Sequence, residues 1–246
     1  MKTLRILILR HASLAIAAFL ALLCGNAANA ADEIALFNGK DFTGWTFFLE
    51  QKGYNAEGRG RISDFAIVTR DGTIRINPSL HGALMTSRDY LNYELHAEYR
   101  WMDPKPSDDS GLFLRIRPPF VWDMEHGEQA RLYMVQIQPS NTGDLWVLGY
   151  NESLLKTAPA LSYKPFGDLD LVAGGHIRRH LKSANAEKPA GEWNAVDVRL
   201  KDKIVDVRLN GVLVNQGSML VDLPGRIGLE SERGTIEYRN IRLRPL

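Results

Sequence analysis

Sulfur chemistry is almost missing from this chain: one of its 246 residues is cysteine, Cys24, and it falls inside a stretch with the marks of an export signal. Lys2, Arg5 and Arg10 give a basic start, Leu14 to Leu23 is apolar, and Ala28-Asn29-Ala30 closes with small residues, so cleavage is expected after Ala30. The mature protein then has no disulfide, no thiolate nucleophile and no thiolate metal ligand. The apolar stretch is about half of what a bilayer-spanning helix needs, and no later one could span a membrane. No stable membrane insertion is expected, and the protein is placed in the periplasm or outside the cell. Leu22 and Leu23, bulky residues just before Cys24, speak against a lipid anchor there. An excess of charge is missing too. The formal net charge is +1, and losing Lys2, Arg5 and Arg10 with the signal turns it to −2, a balance that suits no nucleic-acid surface. Helical periodicity of any length, internal repeats, the H-E-x-x-H string and a calcium-loop pattern are also absent after the signal.

What is present is alternation. From Tyr93 to Trp101, Leu95, Ala97, Tyr99 and Trp101 share one side and Glu94, His96, Glu98 and Arg100 the other, which is the period of a half-buried strand. Gly111 to Arg117 and Leu132 to Gln138 repeat the pattern. Ala195 to Leu200 and Ile204 to Leu209 are joined by Lys201-Asp202-Lys203, and Asn210-Gly211 turns the chain into Val212 to Val214. Asn-Gly between alternating runs signals a tight hairpin, because both residues tolerate positive φ. Arg226 to Glu230 and Thr235 to Leu243 complete the strands, while Asn151 to Gly191, broken by prolines and glycines, is expected to be a long loop excursion with one short helix near Arg178 to Ser183. Residues 31–246 are therefore expected to form a single all-β domain, a two-sheet antiparallel β-sandwich of jelly-roll type.

With the strands laid out, motifs at their ends resemble the 3-keto-disaccharide hydrolase domain family, a concanavalin-like jelly roll. The resemblance runs through Leu36 to Trp45 (LFNGKDFTGW), Asp71-Gly72, Gly82 to Thr86 with Tyr90, and Asp109 to Arg115, where Asp109 stands in place of the usual Asn. It continues through Lys188 to Asn194 (KPAGEWN), Leu209-Asn210-Gly211 and the closing Ile227 to Leu246. Two further positions depart from the family pattern: Met134 takes the place of a glutamate, and Glu230 that of an amide.

The resemblance implies an exported carbohydrate-active enzyme, a hydrolase or lyase acting on glycosides oxidised to a ketone at C3. Such a ketone acidifies the C2 hydrogen, so a base can remove it and the C1 substituent leaves; water then adds. The site needs a base, a stabiliser for the enolate oxygen and an acid for the leaving group. Strand parity nominates Glu98 as base or acid, Arg115 as a clamp, and Arg117, Gln136 and Gln138 as substrate contacts; a plain Glu98–Arg115 surface pair is the alternative. Glu125 and His126, in the loop after Pro118-Pro119, are further catalytic candidates, with His126 able to move a proton near neutrality. His176 and Glu230 are substrate-binding candidates; Glu232, beside Glu230, belongs to the same closing motif. Trp122 and Trp146 could stack on a sugar ring, while Trp45 and Trp193 are assigned to packing. No cofactor is expected, although Asp108 and Asp109 with nearby carbonyls could take a divalent metal such as calcium. A non-catalytic carbohydrate-binding sandwich stays open, as does a glucanase-like hydrolase; the E-x-D-x-x-E string common in the latter is not found.

Overall fold

Alternation becomes two stacked sheets. A computed structural model describes residues 32–49, 61–76, 81–123, 128–149, 170–171, 178–218 and 222–246. Its strands begin with β1 (Ile34–Ala35), β2 (Trp45–Leu49), β3 (Ala66–Val68), β4 (Ile74–Ile76), β5 (Gly82–Thr86) and β6 (Tyr93–Trp101). The long pair β7 (Ser110–Asp123) and β8 (Glu128–Ile137) follows, then β9 (Leu145–Leu148), β10 (Asp170–Leu171) and β11 (Arg178–His180). The chain closes with β12 (Asn194–Lys201), β13 (Ile204–Leu209), β14 (Val212–Ser218), β15 (Arg226–Ser231) and β16 (Ile236–Pro245). The first sheet has the order β14-β13-β12-β6-β16-β4-β3, with β1 also on β16, and the second has β10-β11-β9-β8-β7-β15-β5-β2. The pairings are antiparallel, and a single 3-10 turn at Ile62–Asp64 is the helical element among the described residues. None of these residues forms a helix long and apolar enough to cross a membrane. Residues Glu33–Leu246 group into one compact unit.

The core lies between the sheets. In β6 every odd position, from Tyr93 to Trp101, is buried and every even one is half-buried. These residues meet Leu112, Leu114, Tyr133, Val135, Ile227 and Leu229 of the second sheet, with Val196, Val198 and Leu200 alongside. Each fully buried aliphatic or phenyl side chain contributes roughly 1.5–3 kcal/mol, so this layer fixes strand register. The Asn210-Gly211 hairpin has both residues at positive φ, 51° and 83°, as its sequence required. The short helix expected near Arg178 to Ser183 is instead strand β11, paired with β9 from Arg178↔Val147 to His180↔Leu145. His180 is buried there, with Nδ1 2.7 Å from Asn215 Oδ1, and a tertiary partner of this kind overrides weak local propensity.

Candidate active site

The second sheet has two apolar faces. One meets the core; the other, turned away from the first sheet, carries Phe48, Ala83, Met85, Phe113, Leu132, Met134 and Leu148, with Trp146 packed against them. Register then sets out polar residues beside this floor. Gln136 of β8 lies opposite Gly111 of β7, Leu112 opposite Leu229, and Glu230 of β15 opposite Ala83 of β5. One step further, Ser231 pairs with Gly82, so Glu232 and His81 extend from neighbouring strand ends, and an isolated bridge joins Asp109 to Arg233. Period-two parity gives Asp109, Gly111, Gln136, Glu230, Glu232 and His81 one common side.

Gly111 is the hinge of this arrangement. A Cβ there would come within 2.5 Å of Met134 Sδ and 2.9 Å of Glu230 Oε2, so its bare backbone lets both side chains lie over it. Ser110 Oγ donates to the Glu230 carbonyl at 2.8 Å and fixes the strand beneath. Glu230 is 3% exposed. Its Oε1 is 3.6 Å from His81 Nε2, while its Oε2 has no hydrogen-bond partner among the described residues. Gln136 Nε2 donates to Asp109 Oδ1, and Arg233 reaches Asp109 at 3.3 Å and Glu232 at 3.0 Å. Burial, followed by the negative charges of Glu232 and Glu230, pushes the Asp109 carboxyl up to about 7 against the pull of Arg233. Burial also pushes Glu230 up, opposed by the His81 hydrogen bond. A carboxyl that titrates near neutrality beside an apolar floor can accept or donate a proton in water at ordinary pH.

Alongside, Trp146 lies opposite Met134 in the ladder, and the Arg179 guanidinium sits 5.0 Å from its ring centroid. Arg179 is held by Asp144, to which its Nε donates at 2.7 Å. The half-buried indole is a planar apolar group of the kind that stacks on sugar rings.

The expected residues separate. Glu98 does not share a face with Gln136: it lies on the outward side of the first sheet, where Arg239 Nε and Asn240 Nδ2 donate to its two oxygens at 2.6 and 2.7 Å. Parity was right, but parity cannot say which sheet a strand joins. Burial works to raise the Glu98 carboxyl, and the bonds from Asn240 and Arg239 outweigh it, holding it below the ordinary range. Arg115 is not an open clamp either. A bulge between Leu114 and Arg117, with Arg115 at φ 49°, breaks the alternation and turns the side chain inward. It is fully buried, donating to the carbonyls of Leu91 and Asp202 and ion-paired with Asp222 at 3.1 Å. The Glu98–Arg115 surface pair is thereby excluded as well. Arg117, beyond the bulge, is half-buried opposite Arg131. Gln138 accepts from Asn141 within the turn after β8.

Gln136, Glu230 and Trp146 do lie on the face described above. Trp122 stands on β7 opposite Gln129, and its side chain falls outside the description. Glu125, His126 and His176 lie outside the described residues. Trp45 is buried, its Nε1 donating to Leu36 O, whereas Trp193 packs on the outward side of the first sheet against the guanidinium groups of Arg100 and Arg239. Asp108 and Asp109 do not form a joint cation cradle: Asp108 accepts from Lys105 N, and Asp109 turns to Gln136 and Arg233. Sequence reasoning missed His81 and the raised carboxyl of Asp109. Counting back in twos from Gly111 would have reached Asp109, and His81 precedes β5 by one residue.

Comparison with known proteins fits this architecture. A structure of Parabacteroides distasonis ATCC 8503 named for a glycosyl hydrolase superimposes with TM-score 0.55 at 17% identity, covering 87% of this chain and 94% of that one. The Bacillus licheniformis β-glucanase gives TM-score 0.54 at 12% identity, with 89% and 99% covered. Zobellia galactanivorans LamA, solved with laminaritriose and laminaritetraose, gives TM-score 0.54 at 10% identity, with 87% and 97% covered. At such identities the likeness establishes the jelly-roll fold. Among curated proteins none matches the chain. The profile of the 3-keto-alpha-glucoside-1,2-lyase-like domain matches residues 32–244, and the chain therefore belongs to that family, a carbohydrate-active domain of glycosidase-like or sugar-binding type.

Proposed function

We propose that this protein cleaves glycosides carrying a ketone at C3 of the sugar, by elimination followed by hydration. A base removes the C2 hydrogen, the electron pair is held as an enolate on the C3 oxygen, and the bond from C1 to the glycosidic oxygen breaks as that oxygen gains a proton. Water then adds across the C1–C2 double bond, giving net hydrolysis. Support comes above all from one observation: Asp109, titrating at about 7, stands with Glu230, Glu232 and His81 along an apolar floor beside Trp146. Asp109 is the proton carrier, oriented by Gln136, and the Trp146 ring carries the sugar's apolar face. Export is part of the same reading, supported by the basic start, the apolar stretch and Ala28-Asn29-Ala30; the exported protein then begins at Ala31.

Purified protein incubated with 3-keto-glucosides of chromogenic alcohols, and with the unoxidised glucosides, tests the reaction. Release from the oxidised substrates alone, slowed by deuterium at C2, is the expected outcome. Saturable sugar binding with no release from any of them would replace this reading with a carbohydrate-binding domain. Cleavage of unoxidised glucans would point to a glucanase.

A further inference from the structure

Elimination places negative charge on the C3 oxygen, yet the side chains gathered here are mostly acids. Arg233 pairs with Glu232 and Asp109, and Glu230 faces His81 instead. Three carboxylates cannot by themselves welcome an enolate. The geometry resolves the conflict. His81, Glu230 and Glu232 each present one ligand atom, and these atoms lie within 4.8 Å of one another. Donors at that spacing leave room for an ion at roughly 2.0–2.4 Å from each, the usual metal–ligand range. The sheet builds the triad, since the Ser231↔Gly82 pairing sets Glu232 and His81 at adjacent strand ends with Glu230 two residues behind. Independently, the almost wholly buried Glu230 keeps Oε2 without a hydrogen-bond partner among the described residues, and buried carboxylate oxygens are ordinarily satisfied.

We propose that His81, Glu230 and Glu232 bind one divalent cation. One imidazole nitrogen with carboxylate oxygens suits Mn2+ or Zn2+ better than Ca2+ or Mg2+, which favour all-oxygen shells. Its catalytic role rests on the elimination reading above: the ion takes the C3 carbonyl oxygen, withdraws electrons as the C2–H bond breaks and holds the enolate, while Asp109 receives the proton. An acid-rich cluster thereby becomes an electrophilic one.

The mature protein, stripped with a chelator, is dialysed against Mn2+, Zn2+, Ca2+ or Mg2+ and its bound metal counted by mass spectrometry. One Mn2+ or Zn2+ per chain is expected, held about tenfold or more weakly after Glu232→Gln or His81→Ala. Asp197→Asn, on the outward face of the first sheet, leaves binding and turnover unchanged; circular dichroism confirms that each variant is folded. No bound ion, or equal binding in the two site variants, overturns the site. Aglycone release at full rate by the stripped protein overturns the catalytic role. A bound ion with no turnover of any 3-keto-glycoside would sink the elimination reading and leave the site standing.

Discussion

The outward faces of the two sheets use the same residue types to opposite ends. On the first sheet each glutamate meets nitrogen donors: Glu94 has Arg199 and Arg244, Glu98 has Arg239 and Asn240, and Glu237 has Arg75 and Arg100. Burial works to raise Glu237, but the hydrogen bonds from Arg100 and Arg75 hold its carboxyl low. On the second sheet three acids share one arginine and one histidine, and Asp109 and Glu230 are pushed up. A matched acid is a staple. A poorly matched one keeps its proton to higher pH.

Exchanging single acids on the two faces tests that contrast. Glu230→Gln should cut turnover of a 3-keto-glycoside by roughly 10²–10⁴-fold, the range for a lost catalytic contact. Because Met134 and Glu230 lie over the same glycine, adding Met134→Glu should restore part of the rate, as steady-state kinetics would show. Glu237→Gln should leave kcat alone and lower unfolding free energy in urea by about 1–2 kcal/mol, since the paired charge-assisted bonds from Arg75 and Arg100 are weakened. Unchanged stability there, or lost turnover, would undo the distinction.

Asp109→Asn should do the reverse: less turnover and, once the metal is stripped, more stability. The folded-state value of Asp109 is raised from 3.8 to about 7, so its favourable contribution is complete below 3.8 and gone above 7. The advantage of the amide should open across that window and reach about 1 kcal/mol at alkaline pH, after allowance for solvent screening, in melting curves recorded against pH. Smallest is Asp197→Asn. His96 is raised above its ordinary 6.5, first by the hydrogen bond with Asp197, so the pair stabilises the fold below that value and ceases to as pH climbs through the raised one. A loss of a few tenths of a kcal/mol, visible in acid and absent in mild alkali, is expected for a pair that water still reaches.

Much of this was legible in the residues. β6 and β13 have the bounds their alternation indicates, and Asn210-Gly211 makes its turn. What alternation cannot carry is which sheet a strand joins, so Glu98 was grouped with Gln136 although the inter-sheet core separates them. Nor does it foresee a bulge: one left-handed residue at Arg115 turned an apparent ligand clamp into a buried brace. The site itself depends on strand ends lining up, His81 beside Glu232 and Asp109 beside Arg233, and such register is set by long-range packing rather than by neighbours in the chain.

Gly111 carries a consequence for how chains of this kind are compared. With no side chain of its own, it leaves the volume above it to whichever neighbour leans across, from β8 on one flank or β15 on the other. An acid can then migrate between strands while offering its oxygens at much the same spot. A tally by aligned columns would mark position 134 as a lost glutamate and position 230 as an unrelated change, whereas in space the two substitutions sit back to back.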